Sequence, residues 1–346
     1  MLPGYSLPSL RVSSLDDPGS SDELHLAFRG DKTAWSYEAE GGGSRTGASY
    51  AQQFVQGADL MPRTAVFVDT VPLGPNKQRV ATSERELQNK NNKVLAGRRF
   101  DGVVSNSLIY ATLTSSMLLP YATSGYPVKT VLPLEPSGRG HRLLSQAELL
   151  NRGMPDSAQW FESVDRAIGE STPGGAPLRD RIDVRGKLTR QSRRTSGFAV
   201  HLGAGGGVPC AAYHEPGRES VLPFIADQTT YVFWTKDECE ALYLVGMLNS
   251  RSVERRIKEF QAAGLFGARH VHTLPLSVVP KYVGGANQLR VAAQARLIVG
   301  AAEEFVRAAD SPSASLAHRR RKVKAAIEPV AAAIEAIADA ILNGSE

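Results

Sequence analysis

Residues 177–194, PLRDRIDVRGKLTRQSRR, place Arg179, Arg181, Arg185, Lys187, Arg190, Arg193 and Arg194 against Asp180 and Asp183 alone. Guanidinium and ammonium groups at that density bind anions, and each one set on a nucleic-acid phosphate releases a condensed counterion. Gly186 and the hydroxyls of Thr189 and Ser192 let the backbone approach an anion closely. A solvated surface loop has the same composition, so both readings stand at this point. A second group, Arg269, His270 and His272, lies in the Gly-broken stretch AGLFGARHVHTLP. Two histidines two residues apart share one side of a strand, but no third metal ligand is near, so no metal site is expected.

Other chemistries lack their signatures. Cys210 and Cys239 stand far apart in apolar surroundings, which reads as two reduced, buried thiols in an intracellular protein. There is no Ser nucleophile elbow, no Walker loop, and no Asn-Pro-Pro-aromatic loop of the kind adenine methyltransferases use to grip an extruded amino group. No catalytic residue is assigned. The Gly203–Gly207 cluster follows an apolar strand, as a loop for S-adenosylmethionine or a dinucleotide would, but it leads into VPCAAY, another strand, where a cofactor loop opens a helix. It therefore reads as a hairpin or bulge, and no cofactor-binding residue is assigned. The alternative is a complete S-adenosylmethionine-dependent methyltransferase built on that loop.

The elements that must position these groups center on Phe224–Pro280, read as strand, long helix, turn, strand. Its helix aligns Ala241, Leu242, Val245 and Leu248, and Arg251, Arg255, Arg256 and Lys258 crowd the C-terminal half, facing either the helix dipole or a polyanion. Upstream, SYAQQFVQGA reads as a helix, RTAVFVDTV as a strand, and further strands are expected at 78–82, 100–104 and 128–134. SQAELLNRG and PDSAQWFESVDRAIGE read as helices, the second with Pro155 in its first turn. After Pro280 the chain is helical over 287–309 and 316–342. In the last helix Val323, Ile327, Val330, Ile334, Ile337 and Ile341 form a coiled-coil seam, whose partner is either the preceding helix or another protein. HRRRK, residues 318–322, sets positive charge against the dipole at the start of that helix and calls for a compensating anion.

The 346 residues divide into an irregular N-terminal segment (1–48), an α/β subdomain (49–170), the STPGGA linker (171–176), a unit holding the basic loop (177–283) and a C-terminal helical region (284–346). The excess of Lys and Arg over Asp and Glu is small, 40 against 35, so the location of the charge matters more than its total. There is no membrane-spanning run or targeting segment, and a cytoplasmic location is expected.

GKLTRQSRRTSGFAVHLGAGGGVPCAAY, PFIADQTTYVFWTKDECEALYLVGMLNS and IKEFQAAGLFGARHVHTLPLSVVPKY together resemble the C-terminal region of large bacterial DNA adenine N-6 methyltransferases of restriction-modification and related phage-defence systems. QFVQGADLMPRTAVFVDTV and WFESVDRAIGE are similar to the first part of the same region. The resemblance implies an α+β fold: mixed-sheet target-recognition domains with long C-terminal helices forming an antiparallel pair. It implies a target-recognition module, residues 177–283 at its center, that works with a separate catalytic core, either as a subunit or as one piece of a larger enzyme. Its partners would be double-stranded DNA and a methyltransferase catalytic domain or subunit, where S-adenosylmethionine would bind. Expected DNA contacts are Arg185, Lys187, Arg190, Arg193 and Arg194 on the loop and Arg269, His270 and His272 at the turn, with Arg63 and Lys129 as further candidates. An adaptor assembling through the terminal helices is the remaining alternative.

Overall fold

The computed structural model describes residues 10–13, 21–29, 32–36, 50–88, 94–125, 127–191, 197–204, 208–215, 222–258, 276, 278–311 and 313–344. The first three of these ranges form an antiparallel sheet of β1 (Leu10–Ser13), β2 (Ser21–Arg29) and β3 (Lys32–Ser36).

The helix expected over SYAQQFVQGA does not form. Tyr50–Gln52 is a 3-10 turn, and the chain then runs extended as β4 (Val55–Gln56). Tyr50 and Phe54 share a helical spacing, but both rings are held by Phe233, at centroid distances of 5.4 and 5.5 Å, so tertiary packing overrides the local period. The expected strand at RTAVFVDTV begins with one helical turn, α1 (Arg63–Val66), before β5 (Phe67–Pro72). β6 (Lys77–Thr82), α2 (Glu84–Leu87), β7 (Asp101–Ser105), β8 (Ile109–Thr112), β9 (Leu118–Leu119), β10 (Ala122–Thr123) and β11 (Val128–Val131) follow. Five of these strands make an antiparallel sheet in the order β7-β6-β5-β11-β8. β12 (Leu134–Ser137) and β13 (Gly140–Leu143) form a hairpin. α3 (Gln146–Asn151) starts at a Ser145–Glu148 capping box, which satisfies donors at both ends of the first turn. α4 (Pro155–Ser171) begins on Pro155, as expected, and lays Trp160, Phe161, Val164 and Ile168 on the sheet, while α5 (Leu178–Ile182) closes this core.

The second core is built on an antiparallel sheet ordered β15-β14-β16-β4, from β14 (Phe198–Gly203), β15 (Ala211–His214), β16 (Thr230–Thr235) and the early β4. Its helices are α6 (Glu238–Asn249), α7 (Arg251–Lys258), α8 (Ala286–Ala309) and α9 (Leu316–Leu342). The single long helix expected after Trp234 is in fact two. Ser250 is extended at ψ 148°, and its Oγ accepts the Val253 N–H at 3.2 Å, so it caps α7. Of the strand expected after His272, residues 271–275 and 277 lie outside the described residues, and Leu276 and Val278 are helical rather than extended.

The fold is α+β. Every ladder between named strands is antiparallel, and among the described residues parallel pairing is confined to isolated bridges, Ala58 with Asp227, Ala111 with Phe224 and Tyr121 with Ala212. α8 and α9 pack together as an antiparallel pair. The seam on α9 is covered within the chain, with Val323, Ile327 and Ile334 in the second core. Gly246 lets α6 approach α8: a Cβ there would lie 2.8 Å from Val291 Cγ1 and 3.3 Å from Ala295 Cβ.

Candidate nucleic-acid interface

Leu178, Ile182 and Leu188 are buried in the first core and pin both ends of the turn that holds Arg185 and Lys187. Within the turn the Asp183 carboxylate accepts the Leu188 N–H at 2.8 Å, the Thr189 N–H at 3.0 Å and the Thr189 hydroxyl at 2.9 Å. Consecutive backbone N–H groups of this kind form an anion-binding concavity, and here the chain fills it with its own carboxylate. Arg185 and Gly186 both lie in the left-handed region, at φ 60° and 67°, which for the arginine is a locally costly conformation. Arg185 and Arg190 are exposed, and among the described residues neither has a carboxylate or other polar partner. Lys187 donates to Gln56 Oε1 at 2.7 Å, and its charge acts on the Asp59 carboxylate without a direct ion pair.

Three contacts make the loop rigid. Gln56 Nε2 donates to the Gln228 carbonyl at 3.0 Å, so Lys187 is tied through Gln56 to the approach of β16. Gln191 clamps the Ala226 backbone, accepting its N–H at 2.7 Å and donating to its carbonyl at 3.1 Å. The third contact is with the β12–β13 hairpin: His141 N–H donates to the Thr189 carbonyl at 2.8 Å, and His141 Nδ1 donates to the Gln191 carbonyl at 2.6 Å. A Cβ on Gly140 would lie 2.3 Å from that Thr189 oxygen, so the hairpin can meet the loop only with glycine there. This contact brings exposed Arg139, also without a polar partner among the described residues, into the neighborhood of Arg190. Sequence reasoning missed Arg139 because a lone arginine in a Ser-Gly-Arg-Gly turn gives no signal of a long-range neighbor.

Other cations are committed to structure. Arg63 donates to both oxygens of Asp227, at 3.0 and 3.2 Å, and its guanidinium lies 5.1 Å from the center of the Phe67 ring. With Asp227 1 % exposed, this pair is an internal strut, and Arg63 is withdrawn as a DNA contact. Lys129 lies on the five-stranded sheet and donates to Thr70 at 2.7 Å. The cationic half of the helix after Trp234 faces the chain's own acids: Arg251 pairs with Glu328, Arg255 with Asp339, and Glu254 with Lys324, while Arg256 donates to Asn343. Within HRRRK, Arg319 and Arg320 are engaged inside the chain, while Arg321 and Lys322 are exposed. Arg319 pairs with Asp310 and donates to Ser124, and Arg320 donates to the Leu118 and Ser115 carbonyls at 3.1 Å. Arg193, Arg194, Arg269, His270 and His272 lie outside the described residues.

β14 and β15, on either side of the glycine cluster, pair antiparallel, Leu202 opposite Ala211, while residues 205–207 lie outside the described residues. Cys210 and Cys239 are both free, the first buried and the second half-buried. Burial in apolar surroundings pushes the Cys210 thiol up and away from the reactive thiolate. Among the described residues no group of three or more His, Cys, Asp and Glu is placed to hold a metal, and no helix is long and apolar enough to cross a membrane.

No family model matches this chain, and no curated protein matches its sequence. Among solved structures it is similar to the Type IIL restriction-modification enzyme MmeI in complex with DNA, at 11% identity and a TM-score of 0.47. That similarity covers 97% of this chain and 42% of the other, so the chain spans less than half the length of that enzyme.

Proposed function

We propose that this chain is a DNA target-recognition module that grips duplex DNA through the loop after α5 and serves an adenine N-6 methyltransferase core held in another domain or subunit. The observation behind this reading is the contrast in charge pairing. Arg185 and Arg190 are exposed on one loop without a side-chain partner among the described residues, with Lys187 between them and Arg139 close by, while Arg251 and Arg255 on α7 and Arg319 and Arg320 at the start of α9 are engaged by the chain's own acids and carbonyls. A loop whose own backbone anion site is filled by Asp183, and which still presents free guanidinium groups, suits phosphates approaching from outside. Phosphate contacts set the register of the module; base reading and extrusion of the target adenine would follow from that register, with the chemistry in the partner core.

The test is a salt series of duplex binding by the full chain. The slope of log K against log salt is expected to drop in magnitude by about 0.9 for each phosphate contact removed when Arg185, Lys187 and Arg190 are changed to Gln. Binding that ignores both salt and the triple substitution would refute the reading.

A further inference from the structure

Next to Arg190 the chain encloses a half-open cavity of about 260 Å³. Three aromatic residues line it: Phe224 is buried and meets the Trp234 ring edge to face at 5.7 Å, the Phe233 ring is packed on Tyr50 and Phe54, and Trp234 is partly exposed. β4 pairs with β16 only through Gln56 and Val55, so the ladder on that side stops at Val232 and the cavity opens alongside Phe233 and Trp234. The polar groups at the cavity divide into two kinds. The Gln191 amide is fully used on Ala226. Gln53 and Arg190 are exposed and have no side-chain partner among the described residues, so an amide with both donor and acceptor, and a guanidinium, remain free at the mouth.

The occupant must therefore be small, flat and polar along one edge. The volume falls just below the roughly 300–1,000 Å³ of drug-sized pockets, which suits one ring system. The partly exposed Trp234 ring favors stacking with a π-face, an amide pairs with the donor-acceptor edge of a base, and the adjacent guanidinium favors a phosphate on the same ligand. A purely apolar ligand would leave Gln53 and Arg190 unused. We infer that this cavity takes one unpaired nucleobase of a DNA strand whose phosphates lie on the Arg185–Arg190 loop. The inference rests on the DNA reading above and adds to it a site, inside this chain, for a base that has left the stack.

The experiment uses the full chain and three probes: a fully paired duplex, the same duplex with a single bulged adenine, and deoxyadenosine monophosphate alone. By fluorescence anisotropy the bulged duplex is expected to bind about fivefold or more tightly than the paired one, as one base–aromatic stack requires. Trp234→Ala should abolish that preference and Trp234→Phe should keep most of it, with circular dichroism confirming that both variants are folded. Arg190→Gln should weaken both duplexes alike. Equal affinity of the native chain for the two duplexes, or a preference that survives Trp234→Ala, overturns the inference and leaves the DNA reading intact. Tight binding of the mononucleotide with no duplex preference would make a free nucleotide the ligand and also overturns it. Absence of salt-dependent binding to either duplex overturns both readings together.

Discussion

His201 and His214 are two buried histidines that couple the stability of this protein to acid. Their Nε2 and Nδ1 atoms are 3.1 Å apart between β14 and β15, and both rings meet Phe224 at 5.2 Å. Burial holds both neutral, lowering His201 well below its usual range and His214 to about 3. Because the folded pKa lies below the unfolded one, the unfolded chain binds more protons in acid, and stability falls as pH drops from about 6.5 toward 3. For His214 alone the loss at pH 5 is about 2 kcal/mol. The urea midpoint should decline from pH 7 to pH 5, and His201→Gln with His214→Gln should flatten that decline. Asp310 acts in a lower window. Arg319 beside it holds its carboxyl below the usual range, so its contribution is present above roughly pH 4 and is lost below. Both partners of that pair are less than a tenth exposed, so Arg319→Ala strands a buried carboxylate. It should lower stability by about 3–5 kcal/mol in chemical denaturation.

At the scale of elements, helix packing depends on one small residue. Gly246→Ala places a methyl against the branched Val291 and the facing Ala295, with Ile334 Cδ1 from α9 at 3.4 Å. Overpacking costs about 1–3 kcal/mol and helix propensity returns up to about 1, so a net loss of about 1 kcal/mol is expected from thermal melting. The elements legible in the sequence are those whose signal is local. α9 keeps its four-and-three spacing from Val323 to Ile341, and α4 shows both its proline start and its apolar face. Those misread depend on distant partners. Tyr50–Gln56 obeys Phe233 and β16 rather than its own period, and the break at Ser250 was written only as a Ser before Arg-Ser-Val, a cap signal inside an otherwise continuous run. The basic loop was legible as charge density, whereas its rigidity, contributed by Asp183 and Gln191, was not. Trp234 went unnoticed as a site residue, although TYVFW is apolar on both faces, which marks a strand covered on each side.

Across the whole molecule the two cores exchange chain. Tyr50, Phe54, Leu119 and Tyr121 belong to the second core, and Ile225 belongs to the first. Gly57 passes so close to the segment before β16 that a Cβ would lie 2.3 Å from the Ala226 carbonyl. Residues 177–346 made alone lack those aromatic groups and the β4 edge, and should melt without the sharp cooperative transition of the full chain in calorimetry. The Tyr50 hydroxyl donates to Glu240, 190 residues further on. At about 5–20 residues per second, the ribosome leaves Tyr50 and Phe54 without their partners for roughly 10–40 s. During that interval nascent chains on one message can meet through these bare rings, so slower translation beyond residue 60 should raise the insoluble fraction rather than improve the yield.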